Sequence, residues 1–290
     1  DWLGARVEET MHYLNENYWD SNNGHLKWQG KDTVAELNFQ SCFATLYLWM
    51  YKINHTFGPM SLSHSYLGDK LNLLSNRFKG VNAIWCDSLN IFDVFETSIN
   101  NGKDVFQWGH YGWKNYGCSS FLKEDIAHGA MDLFFPLADY ETGQEFFTDV
   151  TFLEKAHNTF TENIWVSPYK FYNNVYGGDY DMAAQNINNA CDTSIKVYAN
   201  GSLNYFYHEI LNWMPLYKFG NNNTELYENL MLHTYNLKKN IFTSFADAGC
   251  RNTAYLSAQG MRGLSEVVKA QWERECVNLN LYNRDMVYDQ

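Results

Sequence analysis

Apolar residues recur at helical spacing in four stretches of the chain. Val7, Met11, Leu14 and Tyr18 follow one another at intervals of four, three and four, with Glu8, Glu9 and Asn15 between them, which predicts an amphipathic helix over about 3–18. The same period predicts helices over about 64–78 (Tyr66, Leu67, Leu71, Leu74), 143–162 (Phe146, Val150, Leu153, Phe160) and 224–240 (Leu226, Leu230, Leu237). Thr142-Gly143-Gln144-Glu145 has the form of a capping box and places a helix start there.

Between these lie stretches with few charges and apolar residues on nearly every side, the pattern of helices buried all round. They cover about 33–53, 120–140, 202–219 and 253–272. One-faced and all-round helices therefore alternate, as a ring of helical hairpins requires. The expectation is an all-α fold, an (α/α) toroid or incomplete barrel, formed as a single domain over 1–290. A weak internal repeat agrees: the ten residues from His128 to Leu137, with Pro136, align with those from Tyr207 to Leu216, with Pro215. A proline inside a helix removes a hydrogen bond and bends the axis, so both helices are expected to curve.

The connections that precede the all-round helices are long and aromatic: Trp19 to Lys31, Gly80 to Gly117, Trp165 to Gly201 and Ile241 to Arg251. Short strands or turns are expected within Val105–Trp113 and Tyr172–Tyr180. The chain holds 10 Trp and 21 Tyr, flat rings with a polar handle of the kind that stack on sugars, and this turns the loop rim into a candidate carbohydrate cleft. Trp28, Asn38, Gln40, His110, Trp113, Tyr116, Tyr180, Tyr205, Glu209 and Gln259 are the candidate substrate-binding residues. Aromatic filling of core and rim is the competing account of any one ring.

Charge narrows the partners. A formal net charge of -12 disfavours nucleic acid and anionic membrane, and no apolar run of about 18 residues spans a bilayer. The six cysteines, Cys42, Cys86, Cys118, Cys191, Cys250 and Cys276, contain no C-x-x-C pair. With the triplets Asn54-His55-Thr56, Asn200-Gly201-Ser202 and Asn222-Asn223-Thr224, their even number suggests a secreted, extracellular glycoprotein with one to three disulfides. A monomer is expected, with no metal and no cofactor, since nucleophile-elbow, phosphate-loop, zinc-helix and dinucleotide fingerprints are absent from the sequence.

The sharpest chemical signal is Lys123-Glu124-Asp125-Ile126-Ala127-His128-Gly129-Ala130-Met131-Asp132, ionisable residues opening a helix that otherwise reads as buried. Buried charge is costly unless paired or used. Asp125, His128 and Asp132 lie three and four apart and share one helical face, so Asp125 can orient the imidazole. The bland alternative is a first turn whose carboxylates complement the helix dipole. The next all-round helix supplies Tyr205, His208 and Glu209, for which core packing is the alternative, and the last supplies Arg251, a candidate carboxylate clamp or equally a surface charge, with Asn252, Tyr255 and Gln259. His12, His55, His64, His157 and His233 read as surface residues.

Helical hairpins in a ring, aromatic loops at one rim, and His, Tyr, Asn and Arg at helix starts together resemble the (α/α)-toroid polysaccharide lyases, among them the alginate, glucuronan and chondroitin lyases. The likeness is of plan and residue type over the whole chain. It implies β-elimination on an acidic, uronate-containing polysaccharide. In that scheme His128 is the base, Tyr255 (or Tyr116 or Tyr205) the acid, and Arg251 with Asn252 or His208 the group that neutralises the uronate carboxylate. The pair Glu124-Asp125 departs from it, because two carboxylates repel a uronate unless they are paired or turned away. Those residues motivate a rival, an inverting glycoside hydrolase with Glu124 or Asp125 opposite Glu209, which needs the two carboxyls roughly 6.5–9.5 Å apart. A non-catalytic glycan-binding module is the third reading.

Overall fold

The computed structural model describes residues 2–21, 24–28, 35–57, 62–79, 95–109, 123–147, 149–167, 170–172, 174–177, 210–220, 225–237 and 253–278, with backbone alone at 2–4, 57, 167, 170, 235–237, 253–260 and 276–278. Of the described residues, 71% are helical, as the periodicity predicts. The chain divides into two compact units, Asp1–Lys155 and Ala156–Gln290.

In the first unit α1 (Trp2–Tyr18) leads through a short antiparallel pair, β1 (Trp19–Asp20) and β2 (His25–Leu26), into α2 (Leu37–Phe57) and α3 (His64–Phe78). Gln40 ties α2 to β2, since its side-chain amide accepts from Leu26 N (2.9 Å) and donates to Leu26 O (2.7 Å) and Ala35 O (3.1 Å). Ser63 caps α3 by accepting from Tyr66 N; of the residues the periodicity marks, Leu67, Leu71 and Leu74 are buried, joined by Phe78, while Tyr66 is exposed. Within α2 the burial is one-sided near the end, where Trp49 and Ile53 are exposed.

The long stretch after α3 contains a hairpin, β3 (Glu96–Asn100) and β4 (Lys103–Gln107), in register from Glu96↔Gln107 to Asn100↔Lys103; β4 overlaps the start of the Val105–Trp113 stretch where short strands or turns are expected, and β3 lies outside it. Asn101 and Gly102 turn it with φ of 49° and 77°, the left-handed pair that suits the twist of a two-residue hairpin loop. Val105 and Phe106 are buried, and the chain runs on through Trp108 to a bridge between Gly109 and Lys123.

The helix expected over 120–140 is two helices, α4 (Ile126–Asp132) and α5 (Phe134–Thr142), separated at Leu133. Pro136 is the cause. It has no N–H for the carbonyl four residues back, which belongs to Asp132, and Ser41 of α2 fills the gap: its hydroxyl donates to Asp132 O (2.9 Å) and accepts from Phe135 N (3.0 Å). The helix start expected at 143 is instead a stop. Gly143 closes α5 with φ of 64°, the buried Asp139 carboxylate accepts from Phe146 N and Phe147 N, and α6 (Val150–Asn158) begins after Asp149. Asp149 caps α6 through Thr151 N (2.9 Å). The core of this unit is aromatic, with Phe78, Phe95, Trp108, Phe135 and Phe147 all buried; a ring of that size contributes about 1.5–3 kcal/mol when fully buried.

In the second unit α6 continues as a π-helical turn (Thr159–Ile164), followed by β5 (Trp165–Ser167) paired with β6 (Lys170–Phe171). A tight 3-10 helix, Ile210–Phe219, contains Pro215 and packs against α7 (Glu225–Leu237) and α8 (Thr253–Asn278). Expectation and structure part at α8, which reads as buried all round. Gly263, Val267 and Ala270 are buried, but Met261, Val268 and Trp272 are more than half exposed, so over 261–275 the helix is one-faced. Its small, uncharged residues imitate a buried helix in the sequence without supplying apolar bulk. Two histidines also differ from the surface reading. His157 and His233 are buried, because they sit one turn from Leu153 and Leu230 on the apolar faces of α6 and α7.

Candidate functional site

Four ionisable residues meet where β4 runs out and α4 begins. Glu124 N donates to Trp108 O (3.1 Å), which seats residues 124 and 125 beside the hairpin. Asp125 then caps α4. Its backbone is extended (φ -78°, ψ 164°), and Oδ1 accepts from Ala127 N (2.8 Å) and His128 N (2.9 Å). Its second oxygen, Oδ2, stands 2.5 Å from His128 Nδ1. One carboxylate therefore closes the helix and fixes the ring it carries. The capping role and the imidazole-orienting role, alternatives in the sequence, are both filled by Asp125.

Behind this pair lie Glu124 and Asp132, both fully buried. Trp108 Nε1 donates to Asp132 Oδ2 (2.6 Å), and Asp125 N donates to Glu124 Oε1 (3.0 Å). The charge of Glu124 also disfavours ionisation of Asp132. Burial pushes both upward, Glu124 to about 8 with the Asp125 charge adding to the effect, and Asp132 well above the carboxylate range with Glu124 adding to it.

His128 is the wet member. Its side chain is 28% exposed, against 1% for Asp125. Burial opposes its positive charge, but Asp125, by charge and by hydrogen bond, together with Glu124 and Asp132, outweighs that and holds the imidazole well above its ordinary value. With Nδ1 committed to Asp125, chemistry at this ring passes through Nε2. The arrangement can hold and transfer a proton at the partly exposed His128 ring, backed by buried carboxyls.

Among the described residues Glu124, Asp125 and His128 form a group of potential cation ligands, each offering a ligand atom within 4.8 Å of the others. They fit an ion poorly as they stand. Metal bonds of about 2.0–2.2 Å need ligand atoms spread around the ion, whereas Asp125 Oδ2 and His128 Nδ1 are already in direct contact at 2.5 Å.

Of the other candidates, Trp28 stacks on Phe39 with centroids 5.0 Å apart, and Asn38 accepts from Phe39 N through Oδ1. Gln40 is buried and its amide serves the backbone of Leu26 and Ala35. Tyr255 and Gln259 fall on α8, where only the backbone is described. His110, Trp113, Tyr116, Tyr180, Tyr205, His208, Glu209, Arg251 and Asn252 lie outside the described residues, as do Asn200 and Asn222 of the glycosylation triplets. The third triplet residue, Asn54, is buried in α2 and donates to Leu62 O (2.7 Å), so in the folded chain it presents no exposed amide. Cys42 is half-buried on α2. The site also holds two residues that sequence reasoning did not assign to it, Trp108 and Ser41. Trp108 follows the Asn101-Gly102 turn closely enough to be placed at a strand end, but nothing local pairs it with Asp132.

Compared with known protein families, characterised proteins and solved structures, the chain matches none of them.

Proposed function

We propose that the chain is a polysaccharide lyase that cleaves a uronate-containing polysaccharide by β-elimination, with His128 as the base and Asp125 as its positioning residue. The observation that carries this reading is the unequal exposure of the cluster. Glu124, Asp125 and Asp132 are buried while His128 is partly exposed, so of the four the imidazole is the group a substrate reaches first. An inverting hydrolase that used Glu124 or Asp125 as acid or base would need one of them to touch the glycosidic oxygen or a water, and neither reaches the surface. The same burial answers the objection that two carboxylates would repel a uronate. Asp125 is spent on the helix cap and His128, and burial favours the uncharged form of Glu124.

In the elimination, Nε2 of neutral His128 takes the proton from the carbon next to the uronate carboxylate, and the glycosidic oxygen leaves from the adjacent carbon with a proton from a separate acid. Proton abstraction from carbon is demanding, and a base whose affinity for protons is raised by Asp125 is better suited to it. The raised affinity also means the base is unloaded only toward alkaline pH. The (α/α)-toroid arrangement of the helices and the secreted setting belong to this reading.

The deciding experiment incubates the protein with alginate, glucuronan, chondroitin and neutral glucans while following the ultraviolet absorbance of unsaturated uronate and the appearance of reducing ends. Absorbance growth on one of the acidic polymers, lost in His128→Ala with the circular dichroism unchanged, is expected. Reducing ends without absorbance would establish hydrolysis instead. A fully active His128→Ala would remove the assignment.

A further inference from the structure

We propose that the first unit carries a second, small-molecule site for an aryl carboxylate: a cavity walled by the rings of Phe78, Phe95, Phe106, Phe147 and Phe152, with exposed Lys79 and Asp149 at its edge. Its volume is about 240 Å³. An apolar cavity of about 150 Å³ already stays dry and takes up benzene, so there is room for one ring and a substituent.

The walls select a ring over a chain. Phe95 and Phe152 meet at 87°, Phe147 and Phe152 at 84°, and Phe78 and Phe147 at 82°. The lining rings thus pack edge to face on one another, and an incoming aromatic ring extends that pattern in a way that an alkyl chain does not. The rim selects the charge. Lys79 Nζ donates to Phe146 O (3.0 Å) and lies 5.7 Å from the Phe147 centroid, and no carboxylate pairs with it among the described residues. Asp149 is already engaged as the cap of α6 through Thr151 N. Lys155, 5.7 Å from the Phe106 centroid, is shared with Asp104 at 3.6 Å. The cation left for a ligand is Lys79, and its counterpart is a carboxylate on the bound ring.

This site is distinct from the one around His128. Phe95 packs 4.9 Å from Trp108, and Trp108 in turn donates to Asp132, so two aromatic side chains separate the cavity from the acid cluster. The proposal does not depend on the elimination reading.

Titration of the whole chain with 4-fluorobenzoate, followed by fluorine NMR, tests it. Saturable broadening is expected, outcompeted by benzoate far better than by octanoate. Phe152→Trp, which fills the space, abolishes binding. Lys79→Met, checked for folding by circular dichroism, weakens it about fivefold, the upper end for an exposed ion pair. His128→Ala leaves it unchanged. The proposal is overturned by the absence of saturable binding, by binding that survives in Phe152→Trp or disappears in His128→Ala, or by octanoate competing as well as benzoate. Should Phe152→Trp not fold, unchanged affinity in Lys79→Met overturns it equally.

Discussion

Asp125 and His128 are joined twice: Oδ1 of the aspartate accepts the backbone N–H of the histidine, and Oδ2 stands 2.5 Å from its Nδ1. The side chain that ends the helix thus also sets the ring's tautomer and its basicity. Because Asp125 holds the imidazole well above its ordinary value, turnover is expected to climb with pH through that raised value, as neutral base is released. Asp125→Asn keeps a good helix cap but withdraws the charge. Its rising limb should move to lower pH and its maximal rate fall by about 10²–10³-fold, read from paired pH–rate profiles. A limb that stays in place would remove His128 as the titrating base.

The buried Glu124–Asp132 pair makes a prediction about stability. Both folded values lie above the ordinary carboxylate range, so between about pH 4 and the value near 8 for Glu124 the native chain binds more protons than the unfolded one. That contribution is fully present below the unfolded values and is lost as pH rises through the folded ones. Thermal midpoints should therefore fall between pH 5 and 8, and Glu124→Gln, which keeps a hydrogen-bonding group without the titration, should flatten the slope. A wild-type midpoint that rises across this interval is incompatible with the pair.

Ser41 has a purely mechanical role that a double-mutant cycle can isolate. Ser41→Ala strands Asp132 O and Phe135 N and should cost about 2–3 kcal/mol in denaturant unfolding. Pro136→Ala restores an N–H for Asp132 O. The serine substitution should then cost distinctly less in the Pro136→Ala background, and strict additivity would contradict the bridging role.

Lys70 titrates in the opposite sense. Its ammonium lies 3.6 Å from the Trp19 centroid and 5.0 Å from that of Tyr66, and burial lowers it to about 7. From there to its unfolded value near 10.5 the unfolded chain binds more protons, so this group makes stability rise with pH over that window. Lys70→Met should remove the rise while preserving the packing on Trp19. Identical alkaline profiles for the two proteins would show that Lys70 keeps its charge.

Much of the helical framework is legible because burial imposes a period, as Leu67, Leu71 and Leu74 do on α3. The Asp125–His128 pair is legible for the same reason, since three residues is one turn. Local chemistry misleads where two rules compete. Thr142 to Glu145 has capping-box form, yet Gly143 takes the left-handed conformation and ends a helix there. The β3–β4 hairpin carries its strongest cue in Asn101-Gly102, which a search for helical period passes over. Trp108 and Ser41 are not legible at all, because they reach Asp132 across 24 and 91 positions of chain and only tertiary packing brings them there.

The sealing of Glu124 and Asp132 has a consequence in time as well as in energy. These two groups have no direct exchange with bulk water, so a sudden change in acidity reaches His128 at once and the inner proton later, along the Asp125 edge or through a local opening of the fold. For that interval the site carries a memory of the acidity it last equilibrated with, and a jump in pH should be answered in two phases, one fast at the rim and one slow within.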